Sequence, residues 1–266
     1  MTDPSESLSL AEHGAERRDF PQPPPLQSTT NTSLFLDFDG TLVDIADHPD
    51  EVIVPASLPG LLEALARQLN GRLAIVSGRS LAALGVMLGP VNVAMAGSHG
   101  GEFRPAGSDE VFPLADPLPA GVVDILSHFA DANGGLLVEP KPFSVAVHYR
   151  RHPLAMEGLL TLAEGIGSEQ GLKVKHGKQV IELVMPGSDK GSAVARFMDL
   201  AEFRGTSPVF LGDDVTDEDA FLAVGRFGGS GVLVGPVRPT AAVWRIDDVS
   251  GVHDWLAAAL HGRNEA

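Results

Sequence analysis

Apolar residues recur along this chain in two alternating patterns, short solid runs and longer stretches at helical spacing. Leu34-Phe35-Leu36 closes on Asp37, and Leu58 to Leu69 then carries apolar residues every three to four positions, as one face of a helix requires. Arg72 to Val76 is a second run, followed by Ser77-Gly78-Arg79 and a helical stretch through Met87, and Val91 to Ala96 is a third run. Solid runs alternating with helices predict an α/β fold whose parallel sheet is covered on both faces. Ligands of such sheets bind outside the carboxyl ends of the strands. Here those ends read Asp37, Ser77 and Gly97-Ser98-His99.

Near residue 113 the pattern changes. After Pro117-Leu118-Pro119, Val122 to Ala130 predicts a helix, and Phe143 to Arg150 alternates, with Ser144, Ala146 and His148 opposite Val145, Val147 and Tyr149. Such alternation predicts a half-exposed strand of an antiparallel sheet with one open face. A helix over Leu154 to Glu169 and a strand over Val180 to Val184 complete this module, with Glu182 on the face opposite Ile181 and Leu183. The first pattern then returns: helix Gly191 to Ala201, strand Pro208 to Leu211, helix Glu218 to Val224, strand Gly231 to Val234 and a last helix over Val252 to Leu260. The organisation predicted is a core over residues 33–114 and 185–266 interrupted by a smaller module over 115–184. Residues 1–32, with Pro21-Gln22-Pro23-Pro24-Pro25 and no apolar period, read as a disordered tail.

Composition narrows the function. The 266-residue chain carries 35 acidic against 19 basic residues, a formal net charge of −16, which argues against nucleic acid and anionic membranes as partners. Without cysteine there is no disulfide framework, thiolate metal site or thiol nucleophile. No apolar run reaches the ~20 residues of a membrane span, and the start lacks the basic-then-apolar layout of a secretion signal, so a cytoplasmic protein is expected.

Four segments carry the chemistry. In Asp37-Phe38-Asp39-Gly40-Thr41 two carboxylates at spacing two follow a buried run, although Asp-Gly after apolar residues also suits a hairpin turn. Gly212-Asp213-Asp214-Val215-Thr216-Asp217-Glu218-Asp219 places five carboxylates within seven residues. An acidic helix start accounts for Asp217 to Asp219, but Asp213 and Asp214 precede the turn. Adjacent carboxylates repel unless a cation or proton joins them, and oxygen-only ligands suit magnesium. Ser77 and Arg79 flank Gly78 at a strand-to-helix turn, where a hydroxyl and backbone amides would meet an anion. Lys190, after Asp189 at a helix start, can hold a carboxylate and a phosphoryl oxygen together. Each of the last two also fits a plain cap or surface charge.

In this order the four segments resemble the haloacid dehalogenase superfamily of phosphotransferases. The resemblance implies a Rossmannoid core with an inserted α/β cap, Asp37 as the nucleophile and Asp39 as the general acid/base. It further implies Ser77 and Lys190 as ligands of the transferring phosphoryl, and Mg2+ held by Asp37, Asp39 through its backbone oxygen, and Asp213. A finer resemblance, to the trehalose-6-phosphate phosphatase family, rests on Gly212 to Glu218, Gly97-Ser98-His99-Gly100, Glu139-Pro140-Lys141, His148-Tyr149-Arg150, and Gly177-Lys178 with Val180-Ile181-Glu182. It implies a sugar phosphate as the small-molecule partner, functional coupling to the synthase that makes it, and Glu139, Lys141 and Glu182 as readers of the distal sugar. Gly78, Arg79, His99 and Asp214 complete the expected substrate-binding set. On pattern alone Glu182 and Lys141 equally suit a solvated sheet face. The alternatives are a phosphatase of another sugar phosphate (sucrose or mannosyl-glycerate phosphate), a phosphomutase, or a catalytically silent sugar-phosphate sensor.

Overall fold

The computed structural model describes residues 20–26, 31–46, 51–177 and 179–261. Most of the predicted tail, together with Lys178, lies outside them. Among the described residues the strands are β1 (Thr32–Leu36), β2 (Leu73–Val76), β3 (Ala94–Gly97), β4 (Glu102–Arg104), β5 (Phe112–Pro113), β6 (Leu137–Pro140), β7 (Ser144–His148), β8 (Lys173–Gly177), β9 (Val180–Val184), β10 (Ser207–Gly212), β11 (Ser230–Val234) and β12 (Trp244–Ile246). The helices are α1 (Leu58–Gln68), α2 (Leu81–Leu88), α3 (Val122–Ala132), α4 (Met156–Gln170), α5 (Lys190–Met198), α6 (Glu218–Arg226) and α7 (Val249–His261).

One sheet runs β12-β11-β10-β1-β2-β3-β4-β5, parallel from β12 to β3 and antiparallel beyond. Its central strands are buried on both faces because each face carries its own core. Leu34, Leu36, Leu73 and Ile75 pack with α1, α2 and α7, whereas Phe35, Ala74, Val76 and Phe210 pack with α5 and α6. Successive side chains of a strand point to opposite faces, so a doubly covered strand reads as a solid apolar run.

The short strands β4, β5 and β12 are additions to the expected fold. They lie at or next to the ends of the sheet, are two or three residues long and leave little periodicity to read. Part of the predicted tail also departs from expectation. Leu26 is buried in the core, Trp255 Nε1 donates to the Pro24 carbonyl at 3.1 Å, and the Pro21 carbonyl accepts from Arg245 N on β12 at 3.0 Å. Fixed φ angles and missing N–H groups let a proline segment lie along a sheet edge at small entropic cost.

The second sheet, β6-β7-β9-β8, is antiparallel and carries α3 and α4 on one face. Val145, Val147, Ile181 and Leu183 fill the core beneath the helices. The opposite face shows the cross-strand row Glu139, Ala146, Glu182, Lys175. That face was expected to be open, yet Ser144 and Ala146 are 4% and 2% exposed. It is turned onto the large domain. Lys173 Nζ meets Asp189 Oδ2 at 3.3 Å, Lys175 Nζ meets Asp219 Oδ2 at 3.5 Å, and a Cβ on Gly101 would lie 2.2 Å from the Phe143 ring.

Burial of Leu26 against the amino ends of the parallel strands makes it a structural anchor. Leu26→Ala should lower the unfolding free energy by about 2–3 kcal/mol, read from urea denaturation. An unchanged midpoint would mean that docking of the proline segment adds nothing to stability.

Candidate active site

The polypeptide leaves β1 at Asp37 and folds back at once. Phe38 is buried in the core, its carbonyl accepts from the amides of Leu42 and Val43, and Gly40 adopts φ +77°. Phe38 thereby turns away from the two carboxylates that flank it. A Cβ on Gly40 would stand 2.2 Å from Asp213 Oδ2, so the glycine serves both a left-handed turn and the close approach of β10's terminal carboxylate.

At the centre lies Lys190, the first residue of α5 and 3% exposed. Asp189 caps that helix, its Oδ1 accepting from Ser192 N at 2.7 Å. The Lys190 ammonium donates to Asp37 Oδ1 at 2.7 Å and to Asp217 Oδ1 at 2.6 Å. Burial opposes its charge, but Asp217 and Asp37 more than offset that and raise its pKa. Burial and then the charge of Asp217 push Asp37 well above the usual carboxylate range, against the pull of Lys190. Asp213 is raised to about 6, first by burial and then by Asp217.

Asp217 was expected to be an ordinary acidic residue of a helix start. It is instead fully buried, and its Oδ2 accepts from Asp214 N at 3.0 Å while Asp214 Oδ1 caps Val215 N at 2.6 Å. This reciprocal box, the Asp-x-x-Asp of residues 214–217, was the available signal that Asp217 faces backward into the site. Asp214, expected to bind substrate, uses one carboxylate oxygen in the cap and stands exposed on the cleft wall.

Carboxylate oxygens of Asp37, Asp213 and Asp217 lie within 4.8 Å of one another, and the buried Oδ1 of Asp213 has no hydrogen-bond partner among the described residues. Three carboxylates against one ammonium leave excess negative charge in a desolvated place. A hard divalent cation with oxygen ligands answers that excess, so the residues present fit magnesium.

Ser77 follows β2 and is fully buried, its Oγ accepting from Arg79 N at 3.1 Å. Arg79 is not simply an anion ligand in waiting, as the sequence had suggested. Its Nε and Nη2 form a fork on Asp39 at 2.7 and 2.8 Å. Gly78 sits beneath His99, whose imidazole carbon would lie 2.6 Å from a Cβ there. Ser98 and His99 both adopt left-handed φ, +51° and +57°, in a turn pinned by Ser98 Oγ and Leu81 N, which donate to Glu102 Oε1 at 2.8 and 2.9 Å. Burial lowers the His99 pKa to about 3, so the imidazole is neutral.

The smaller domain completes the cleft. Glu182 accepts from Ser144 Oγ at 2.7 Å and from Lys141 Nζ at 3.3 Å, and Lys141 also lies 3.9 Å from Glu139. Although burial opposes it, Lys141 holds the Glu182 pKa below its ordinary value. Glu139 is further paired with His148 Nε2 at 3.0 Å. One cavity of about 500 Å³ is lined by Asp37, Asp39, His99, Lys190 and Asp213, and a second of about 440 Å³ by Glu139 and Lys141. The two share Asp39, Gly78, Arg79 and His99, so one continuous cleft joins the carboxylates to the smaller domain.

A parallel sheet tipped by paired carboxylates, with a second α/β unit over it, is the fold of the haloacid dehalogenase-like class. The fold matches a haloacid dehalogenase-like hydrolase of Bacteroides thetaiotaomicron with a TM-score of 0.63 at 18% identity, covering 87% of this chain and 98% of that one. Residues 35–250 match the sequence profile of the trehalose-phosphatase family, and the chain belongs to that family. It is 38% identical over 238 residues to the trehalose-6-phosphate phosphatase of Escherichia coli (strain K12), spanning 87% of this chain and 89% of that protein. The C-terminal domain of the C. albicans trehalose-6-phosphate phosphatase superposes with a TM-score of 0.72 at 24% identity, over 86% of this chain and 92% of that one.

The raised pKa of Asp213 sets the sign of a pH effect. Folded protein without metal holds a proton that the unfolded chain releases between 3.8 and about 6, so this group's contribution to stability falls as pH rises through that window. Asp213→Asn lacks that loss. In EDTA, the melting temperature of the variant relative to the parent should therefore rise between pH 4 and pH 7. A gap that stays constant would remove the charge-crowding account.

Proposed function

We propose that this chain hydrolyses trehalose 6-phosphate to trehalose and inorganic phosphate through a phosphorylated Asp37, with residues 115–184 acting as the lid that reads the sugar. A carboxylate oxygen of Asp37 attacks phosphorus, the P–O6 bond breaks, and Asp39 gives its proton to the departing sugar oxygen. Asp39 then takes a proton from the water that attacks the aspartyl phosphate, and the bond from phosphorus to Asp37 breaks to return the carboxylate. Lys190 neutralises Asp37 and lies where an ammonium can follow the phosphoryl group. The backbone amide of Gly78 and the Ser77 hydroxyl supply donors at a strand-to-helix turn.

Magnesium would be held by Asp37, Asp213 and the backbone oxygen of Asp39, and when bound supplies positive charge against the phosphoryl oxygens. The Arg79 fork occupies both carboxylate oxygens of Asp39. A phosphate dianion competes for the same guanidinium, and its arrival frees Asp39 to face the departing sugar oxygen. On the lid, Glu139 and Lys141 line the cleft and Glu182 is paired with Lys141, and such groups bond hydroxyls that both donate and accept. A cytoplasmic setting and coupling to the synthase that supplies the substrate follow from this reading.

The observation that carries the proposal is the continuous cleft lined by Asp37 and Asp39 at one end and by Glu139 and Lys141 at the other. Phosphate release from trehalose 6-phosphate, glucose 6-phosphate and sucrose 6-phosphate, with and without magnesium, tests it. Strong magnesium-dependent release from the first alone is expected, and equal release from all three would refute the sugar assignment. Asp37→Asn should keep the circular dichroism of the parent and lose turnover by at least about 10³-fold. Glu182→Gln should raise KM for trehalose 6-phosphate while leaving hydrolysis of p-nitrophenyl phosphate within about twofold. A parallel loss on both substrates would move Glu182 from sugar reading to general structure.

A further inference from the structure

The geometry points to Arg238, on the loop between β11 and β12, as the positioning residue of the cation site. It holds the backbone that carries Asp213 without using the oxygens of the Asp213 carboxylate. Arg238 Nε donates to the Asp213 carbonyl at 3.3 Å, and Nη2 donates to the Asp214 carbonyl at 2.6 Å. Nη1 pairs with Glu218 Oε1 and also donates to the Pro239 carbonyl at 3.1 Å. Glu218 in turn accepts from Ala241 N at 2.8 Å through its second oxygen. One guanidinium thus ties the turn after β10, the start of α6 and the loop before β12.

The choice of acceptors matters. A cation placed directly on the Asp213 side chain would consume the oxygens a metal needs. Arg238 instead takes carbonyl oxygens, and Asp213 Oδ1 stays buried without a hydrogen-bond partner among the described residues. The fork is also geometrically specific, because a planar guanidinium addresses several fixed acceptors at once, whereas an ammonium is a point charge. With Glu218 as its counter-ion, Arg238 adds little net charge near the site. Partners that orient metal ligands in this manner typically contribute 10–100-fold in metal affinity.

This inference rests on reading Asp213 as a cation ligand, and its sign separates positioning from plain electrostatics. Removing a positive charge near a cation site should tighten binding if only charge matters, and weaken it if the fork sets the geometry.

The test is direct Mn2+ binding to the full chain, read from the electron paramagnetic resonance signal of free Mn2+. The proteins compared are the parent, Arg238→Gln, Arg238→Lys, Asp213→Asn, and Arg245→Gln as a charge-matched control whose side chain contacts Gly235 and Asp247 instead. Arg238→Gln and Arg238→Lys should each weaken Mn2+ binding about tenfold. Arg245→Gln should leave binding unchanged, and excess Mg2+ should restore kcat of the Arg238 variants to within about twofold. Binding by Arg238→Gln that matches or exceeds the parent overturns the inference. So does loss of the folded state in both Arg238 variants, which would make the residue a structural tie. A parent that fails to bind Mn2+, or an Asp213→Asn that binds as well as the parent, overturns the cation site itself and this inference with it.

Discussion

A single buried ammonium organises this molecule. Lys190 is out of water, and the desolvation penalty of such a charge is tolerable only because Asp37 and Asp217 both accept from it. Those two carboxylates arrive from different parts of the chain, one after β1 and the other at the start of α6, and Lys190 brings a third, the start of α5. The mutual positions of three elements are therefore fixed by one atom. Removing Lys190 would leave Asp37 and Asp217 as uncompensated charges in the core, a defect on the order of 3–5 kcal/mol by general experience with buried pairs. The same arrangement leaves the site with more carboxylates than cations. Burial first, and then that imbalance, raises Asp37 and Asp213 toward protonation, and together they are the physical reason a divalent cation suits the place.

The smaller domain is coupled to this centre through the helix start that carries it. Lys173 of β8 pairs with Asp189, the cap of α5 and the residue before Lys190. Lys175, two residues on, shares its cross-strand row with Glu182 and reaches Asp219 on α6. The polar face of the second sheet is thereby held over the two helices whose first turns build the charged centre. Both ion pairs are partly solvated and weak individually.

Much of this was legible in the sequence, and the limits are instructive. The solid runs of β1, β2 and β10 announced themselves because each strand is buried on two faces, and the aspartates at their ends followed from the geometry of parallel sheets. Short outer strands such as β4 and β12, three residues each, left no period. Ser144 and Ala146 were read as facing water because alternation distinguishes two faces of a strand, but not what a second domain lays on the polar one. Asp217 was lost among neighbouring carboxylates that suit any helix start. Arg238 belongs to no pattern, since its partners are backbone carbonyls brought near by folding. The Pro-rich segment was set aside on composition, although Trp255 and Arg245 give it partners more than two hundred residues away.

The glycines of the chemical motifs show most clearly what spacing alone conceals. Gly40 was legible as a turn residue and Gly78 as a source of backbone amides. In the fold each also stands where another side chain of the site must pass: Asp213 over Gly40, His99 over Gly78 and Asp217 over Gly212, every one within 3 Å of where a Cβ would be. Adding one methyl at Gly40 or Gly212 would displace a carboxylate from the cluster around Lys190, with no change in local turn preference needed to do harm. The motifs are thus not two aspartates and a turn beside a second acidic run. At Gly40 they interlock, the missing side chain of one segment being the space occupied by a carboxylate from the other. That interlock is why residues distant in sequence meet at fixed separations, and why the site's chemistry depends on packing as strictly as on charge.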